Sequence, residues 1–155
     1  MIRILVMSDS HGSEDNVRWA LEQNPAVDWV FHLGDGVGEQ MLLRAAESVK
    51  NVVCVAGNCD WYSDAPDERA LDIGGVRFLL THGHRYSVKQ RLDTLAYAVE
   101  AAGADVALFG HTHRQTKIDA GGVWLINPGS VRNGDYALLR IEGGNIDVDL
   151  RNLND

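Results

Sequence analysis

Positive charge is scarce in this chain: fourteen Lys and Arg stand against twenty-two Asp and Glu, a formal net charge of −8. A long nucleic-acid duplex is a poor partner for such a surface unless a metal or a local basic patch intervenes. Cysteine is nearly absent too. Cys54 and Cys59 have four residues between them, a spacing of neither a redox pair nor a zinc knuckle, and they suit a reducing compartment. No apolar run can span a bilayer, and the longest, Val27 to Leu33, is broken by charge. The N-terminus carries one Arg and reaches Asp9 too soon for a signal peptide. A cytoplasmic protein is expected, with no membrane partner.

The 155 residues are 45% hydrophobic and 23% charged, which excludes a disordered tail, a coiled coil or a collagen-like repeat. A chain of this length loses about 70% of its unfolded accessible surface on folding, so it is expected to form a single domain, 1–155, with its own core. Histidine is the informative residue. Of six, five sit in short motifs beside Gly, Asp or Thr.

The first sixty residues alternate strand and helix patterns. Ile2 to Met7 reads as a strand buried on both faces, Trp29 to Leu33 and Val52 to Ala56 as its neighbours. Ser13 is placed to cap a helix that buries Val17, Ala20 and Leu21, and a second helix is expected over Glu39 to Ser48. Arg69 to Ile73 and Val76 to Thr81 flank Gly74-Gly75 as a hairpin. Ser87 and Gln90 form a capping-box pattern before the stripe Leu92, Leu95, Ala96 and Val99, with Gly103 as C-terminal cap. Val106 to Phe109 is a further strand. The last third holds four short strands between Gly-rich turns, and Ile146, Val148 and Leu150 alternate with polar residues as in a sheet with one wet face. The fold class is α/β with an antiparallel C-terminal portion.

Five strand patterns each run into a Gly-containing loop with metal-binding residue types: Asp9-x-His11, Gly34-Asp35, Gly57-Asn58, His82-Gly83-His84 and Gly110-His111-Thr112-His113. Open α/β sheets gather such loops at the carboxyl ends of their strands. Together the side chains offer carboxylate, amide and imidazole atoms and no thiolate, too many ligands for one four-coordinate zinc. They suit two divalent ions of intermediate hardness, such as Mn, Fe, Zn or Co. A carboxylate can lend one oxygen to each ion, and a water between the two becomes a nucleophile for in-line displacement. Two carboxylates leave the metal charge partly uncompensated, so a phosphate ester is the natural guest.

In this order the motifs resemble the calcineurin-like metallophosphoesterase superfamily, and Gly57-Asn58-Cys59-Asp60 looks like its small bacterial branch, the YfcE-type phosphodiesterases. A eukaryotic retromer subunit shares that fold. The resemblance implies two stacked mixed β-sheets flanked by helices, a small phosphoester substrate, and a homo-oligomer (dimer or tetramer). It implies a phosphodiesterase using two divalent ions, Mn foremost with Ni, Zn, Fe or Co as alternatives. Asp9, His11 and His113 would hold the first ion, Asn58, His82 and His111 the second, and Asp35 would bridge both. Hydrolysis would follow in-line attack by a metal-bridging hydroxide. Asn58, Asp35 and His84 would carry the catalytic step.

Many members of the superfamily have a His after the Asn, which protonates the leaving group. Here Cys59 occupies that position, at the substrate edge of the site, and a thiol lacks the positive charge that steadies a developing oxyanion. Slower turnover and a preference for activated diesters are expected, with His84 as the remaining proton donor and Asp60, without its usual partner, either supporting the ligands or serving simply as a turn residue. The alternative is a protein of the same fold that is catalytically weak or inactive and serves as an interaction scaffold. A metallo-β-lactamase-like hydrolase is disfavoured because Arg114-Gln115-Thr116 follows His113.

Arg114 and Arg132 are candidates to anchor substrate phosphate, weighed equally against surface ion pairs. His32, inside an apolar strand, reads as a hydrogen-bonded core residue, and Cys54 as core packing. Asn127-Pro128-Gly129-Ser130 reads as a turn that supports the site. Trp61 and Tyr62 stand beside Asn58 as lining of the substrate entrance or as a subunit contact.

Overall fold

The computed structural model describes residues 1–36, 38–61 and 63–155, and of Glu39 and Gln40 the backbone alone. Two five-stranded mixed sheets lie face to face with helices outside them, an α/β architecture.

The first sheet is built on β1 (Ile2–Met7), whose parallel neighbours β2 (Trp29–His32) and β3 (Asn51–Cys54) follow it through α1 (Glu14–Gln23) and α2 (Glu39–Ala45). On its other side β9 (Asp135–Glu142) pairs antiparallel with β1, and β10 (Asn145–Asn152) with β9. The second sheet opens with the hairpin β4 (Glu68–Ile73) and β5 (Val76–Thr81). Then β6 (Val106–Leu108) and β8 (Trp124–Asn127) continue it in parallel, and β7 (Thr116–Asp119) closes it antiparallel to β8.

Side-chain alternation along each strand accounts for the layering. Ile4 and Val6 of β1 face the second sheet, where they join Phe31, Phe78, Leu80, Leu108 and Ile126 in the central core. Phe31 and Phe78 meet edge to face across the two sheets with ring centres 6.1 Å apart, the favoured geometry for aromatic pairs. Leu5 and Met7 face outward and are covered by Val17, Ala20 and Leu21 of α1 and Leu42 of α2. On the far side Leu79, Ala107 and Leu125 pack under Leu95 and Val99 of α3 (Asp93–Ala101). The central strands of each sheet are thus apolar on both faces, which is why β1 reads as a nearly unbroken hydrophobic run.

Several local expectations are corrected. Helix α2 ends at Ala45 rather than Ser48, and β3 leaves the ladder at Cys54. Beyond it the Ala56 N–H donates to the Pro66 carbonyl instead. Ser13 stands at the N-cap of α1 but makes no side-chain capping bond. Ser87 does not cap α3: it ends a 3-10 turn over His84–Tyr86 with φ of 53°, and Leu92 occupies the N-cap. Beyond that turn the Ser87 carbonyl accepts the N–H groups of Gln90 and Arg91. At the other end Gly103 donates to the Glu100 carbonyl and Ala104 to that of Val99, the paired bonds of a Schellman cap, with Gly103 at φ of 63°. Among the described residues no helix is long and apolar enough to cross a membrane.

Candidate metal centre

Five loops leave the carboxyl ends of strands or their extensions on one side of the sandwich, and the backbone there is unusually constrained. Among the described residues six that are not glycine have positive φ, and five of them are Asp9, His11, Asp35, His111 and His113. Left-handed backbone at a non-glycine residue persists only where surrounding structure holds it, and it concentrates at functional sites.

The holding groups are identifiable. Asp9 is fully buried; its Oδ2 accepts the Ser8 hydroxyl at 2.6 Å and the His111 N–H at 3.0 Å. Its Oδ1 is left facing three imidazoles, with Nε2 of His113 at 3.1 Å, His11 at 3.4 Å and His82 at 3.8 Å. Asp35 Oδ1 accepts the Cys59 N–H at 2.8 Å, and Oδ2 faces His82 Nε2 at 3.2 Å and His11 Nε2 at 3.9 Å. His82 Nδ1 donates to the Leu33 carbonyl at 2.7 Å, so its Nε2 is the atom turned inward. His111 Nδ1 approaches that Nε2 to 3.2 Å, and the Nε2 atoms of His11 and His113 are likewise 3.2 Å apart.

Glycine makes this closeness available. A Cβ on Gly57 would lie 2.2 Å from Asp35 Oδ1, and one on Gly110 would lie 2.0 Å from Ser8 Oγ.

Three sets of donors can each hold an ion: Asp9, His11 and His113; Asp35, His82 and His111; and His11, Asp35 and Cys59, each with its ligand atoms within 4.8 Å of one another. Donors about 2.0–2.2 Å from a single ion stand roughly 3.0–3.6 Å from each other in tetrahedral or octahedral shells. The observed separations lie near that range. Two buried carboxylates faced by imidazoles also demand positive charge between them. The donor set therefore fits divalent cations. Protonation answers the same demand: burial pushes Asp35 up, but bonds from His82 and the Cys59 N–H outweigh it and hold the carboxyl well below the usual range. Burial pulls His82 down, and Asp35 and Asp9 more than reverse it, so its pKa is raised.

The remaining sequence candidates fall in several places. Asn58 is exposed at the rim, its amide donating to Cys59 Sγ at 3.5 Å. The Cys59 thiol is pushed up, first by desolvation and then by the Asp35 charge, and stays neutral. His84 stacks at tilted angles beside His82 and His111, ring centres 5.5 and 6.1 Å away. Its Nδ1 is buried without a hydrogen-bond partner among the described residues, and burial followed by the His82 charge lowers its pKa. His111 is lowered to about 4 by burial, with His82 and Lys89 adding to the effect. Arg114 leaves the histidine loop exposed, its N–H on Thr112 Oγ1 at 3.2 Å. Arg132 is exposed in the turn Val131–Asn133, which is tied to the site by the Val131 N–H on the Ser8 carbonyl. Trp61 is 85% exposed, and Tyr62 lies outside the described residues.

His32 is the core residue expected of it. The Gly34 N–H donates to its Nδ1 at 3.1 Å, and its Nε2 therefore donates to Ser10 Oγ at 2.7 Å. Cys54 is half-buried against the packing beneath α1 and α2. Asn127 Nδ2 reaches the Gly110 carbonyl and Thr112 Oγ1, and Ser130 Oγ donates to the Asp9 carbonyl at 2.8 Å, so the turn does support the site.

Of the two roles expected for Asp60, support of the ligands or a plain turn, the structure shows the first. Asp60 accepts the N–H groups of Asp35 and Gly57 at 2.7 Å each and of Gly36 at 3.1 Å, lashing two ligand-bearing loops together. The Gly-Asn-x-Asp spacing was the available signal, but which backbone donors of two loops it would gather leaves no mark in a linear pattern.

Residues 2–144 match the calcineurin-like phosphoesterase superfamily domain. The chain is 36% identical over 148 residues to YsnB of Bacillus subtilis, described as a probable metallophosphoesterase, covering 91% of this chain and 85% of that protein. It is 31% identical over 144 residues to a phosphodiesterase of Methanocaldococcus jannaschii, covering 83% of each. A crystal structure from Streptococcus pneumoniae, described as a predicted phosphoesterase, superposes with a TM-score of 0.83 at 28% identity, covering 99% of this chain and 90% of that one.

Proposed function

The chain belongs to the calcineurin-like phosphoesterase superfamily, and we propose that within it the protein is a phosphodiesterase requiring two divalent metal ions, manganese foremost. The observation that carries this reading is the pair of donor sets, Asp9–His11–His113 and Asp35–His82–His111, joined through the 3.9 Å approach of His11 Nε2 to Asp35 Oδ2. Asp35 is the residue able to serve both sets, with Asn58 completing the second from the rim. Two divalent ions held there would supply Lewis acidity and lower the pKa of an attacking water toward neutrality.

The chain's own residues supply the rest. Asp9 and Asp35 neutralise part of the ionic charge, leaving an excess that attracts an anion into an otherwise acidic protein. His82 is fixed through Leu33, so its inward nitrogen is oriented before substrate arrives. His84 stands beside His82 and His111 as a titratable group outside the three donor sets, able to pass a proton to the leaving oxygen only against the burial and the His82 charge that favour its neutral form, and Arg132 faces solvent beside the site where it can meet substrate phosphate. Cys59 stays protonated and uncharged, and therefore does little for a poor leaving group. Diesters with acidic leaving alcohols should turn over best.

Aryl phosphodiester hydrolysis, measured across Mn, Ni, Co and Zn, tests the proposal, with Asp35→Asn as the variant. Loss of turnover in the variant is expected; most of the wild-type rate surviving would defeat the bridging role. Cys59 favours a second reading, an interaction scaffold without turnover. Metal bound without hydrolysis of any phosphoester would support that one.

A further inference from the structure

A groove of about 400 Å³ runs beside the histidine loop, on the outer side of the second sheet. Thr112, between the two histidines of that loop, forms one wall with Thr116, and half-buried Leu92 lies over a floor closed by the edges of the buried Val88 and Phe109. Gly83, at φ of 106°, lets Val88 approach: a Cβ there would meet Val88 Cγ2 at 2.9 Å. Lys89 and Arg114 complete the lining. Both are exposed, and among the described residues neither takes part in an ion pair. In a protein of net charge −8, two cations outside any ion pair among the described residues, on one groove of mixed polarity beside the histidine loop, are a specific arrangement.

We propose that this groove binds the second arm of the diester substrate, and that the arm is a nucleoside carrying a further phosphate. One face of the ring lies on Leu92 and the edges of Val88 and Phe109, and Lys89 and Arg114 take the additional phosphate through charge-assisted bonds. The volume falls within the usual range for small-molecule sites, roughly 300–1,000 Å³, and holds one such arm, not a duplex. This inference rests on the phosphodiesterase reading for its place in catalysis, but the groove can be tested apart from it.

Two substrates with the same scissile bond decide the matter: the p-nitrophenyl ester of thymidine 5′-phosphate, and its counterpart with a second phosphate on the 3′ oxygen. In each, water adds to phosphorus, the bond to the aryl oxygen breaks, and p-nitrophenolate leaves with the electron pair. The protein should favour the 3′-phosphorylated ester about tenfold in kcat/KM, and Lys89→Gln with Arg114→Gln should bring that ratio to about one. Equal kcat/KM for the two esters, or a preference that survives both substitutions, would overturn the proposal. Calorimetric binding of thymidine 3′,5′-bisphosphate gives a readout without turnover. About tenfold weaker binding by the double variant, at an unchanged thermal midpoint, supports the groove, and equal binding rejects it. Should neither ester be hydrolysed while this binding difference holds, the groove stands and the phosphodiesterase reading falls.

Discussion

Asp60 accepts the backbone N–H of Asp35 at 2.7 Å with the same oxygen that accepts the Gly57 N–H at 2.7 Å. A carboxylate outside the three donor sets thus ties the Asp35 loop to the loop that bears Asn58. Hydrogen bonds to a charged acceptor contribute about 1.5–3 kcal/mol each, and supporting groups of this kind typically change metal affinity 10–100-fold.

Asp60→Asn replaces one accepting oxygen with a donor that faces backbone N–H groups. We expect a loss of about 2–3 kcal/mol in urea unfolding and at least tenfold weaker binding of one of two manganese ions. Unchanged stability together with unchanged metal affinity would show that the loops hold their spacing without it.

On the proposed mechanism, the residue at position 59 sets leaving-group preference. A positioned acid contributes typically 10²–10⁴-fold to a step that needs it. Cys59→His should raise kcat about tenfold on alkyl phosphodiesters while changing aryl diesters by less than threefold. A uniform change across both classes would place the effect in binding rather than proton transfer.

His32 makes stability depend on pH. Burial, opposed by Asp60 and Asp9, lowers its pKa from 6.5 to about 4. The fold holds the ring neutral, so its contribution is complete above pH 6.5 and is lost as pH falls from 6.5 toward 4. Between pH 7 and pH 5, in chelator, the wild type should lose about 2 kcal/mol more than His32→Gln. Parallel curves for the two proteins would contradict this.

Much of the fold was legible because burial follows strand periodicity. Ile2–Met7, the hairpin around Gly74-Gly75 and the alternating Ile146, Val148 and Leu150 all stand where the pattern placed them. Each of the seven expected ligands lies in a loop whose strand or strand extension could be read, and six of them converge in the donor sets described. The failures were at element ends. Ser87 looked like a helix cap because a capping box and a 3-10 turn ending use the same polar residues, and α2 stops early because its last expected turn, Glu47 and Ser48, is exposed and gains nothing from the core. The groove under Lys89 and Arg114 was illegible for another reason: its lining comes from segments some twenty residues apart, joined only by packing.

The account depends most on two ions between the donor sets. Anomalous diffraction from crystals grown with manganese measures this directly. The prediction is two peaks about 3.5–4 Å apart, one against Asp9, His11 and His113, the other against His82 and His111, with Asp35 touching both. A single peak, or manganese bound away from these side chains, would contradict it.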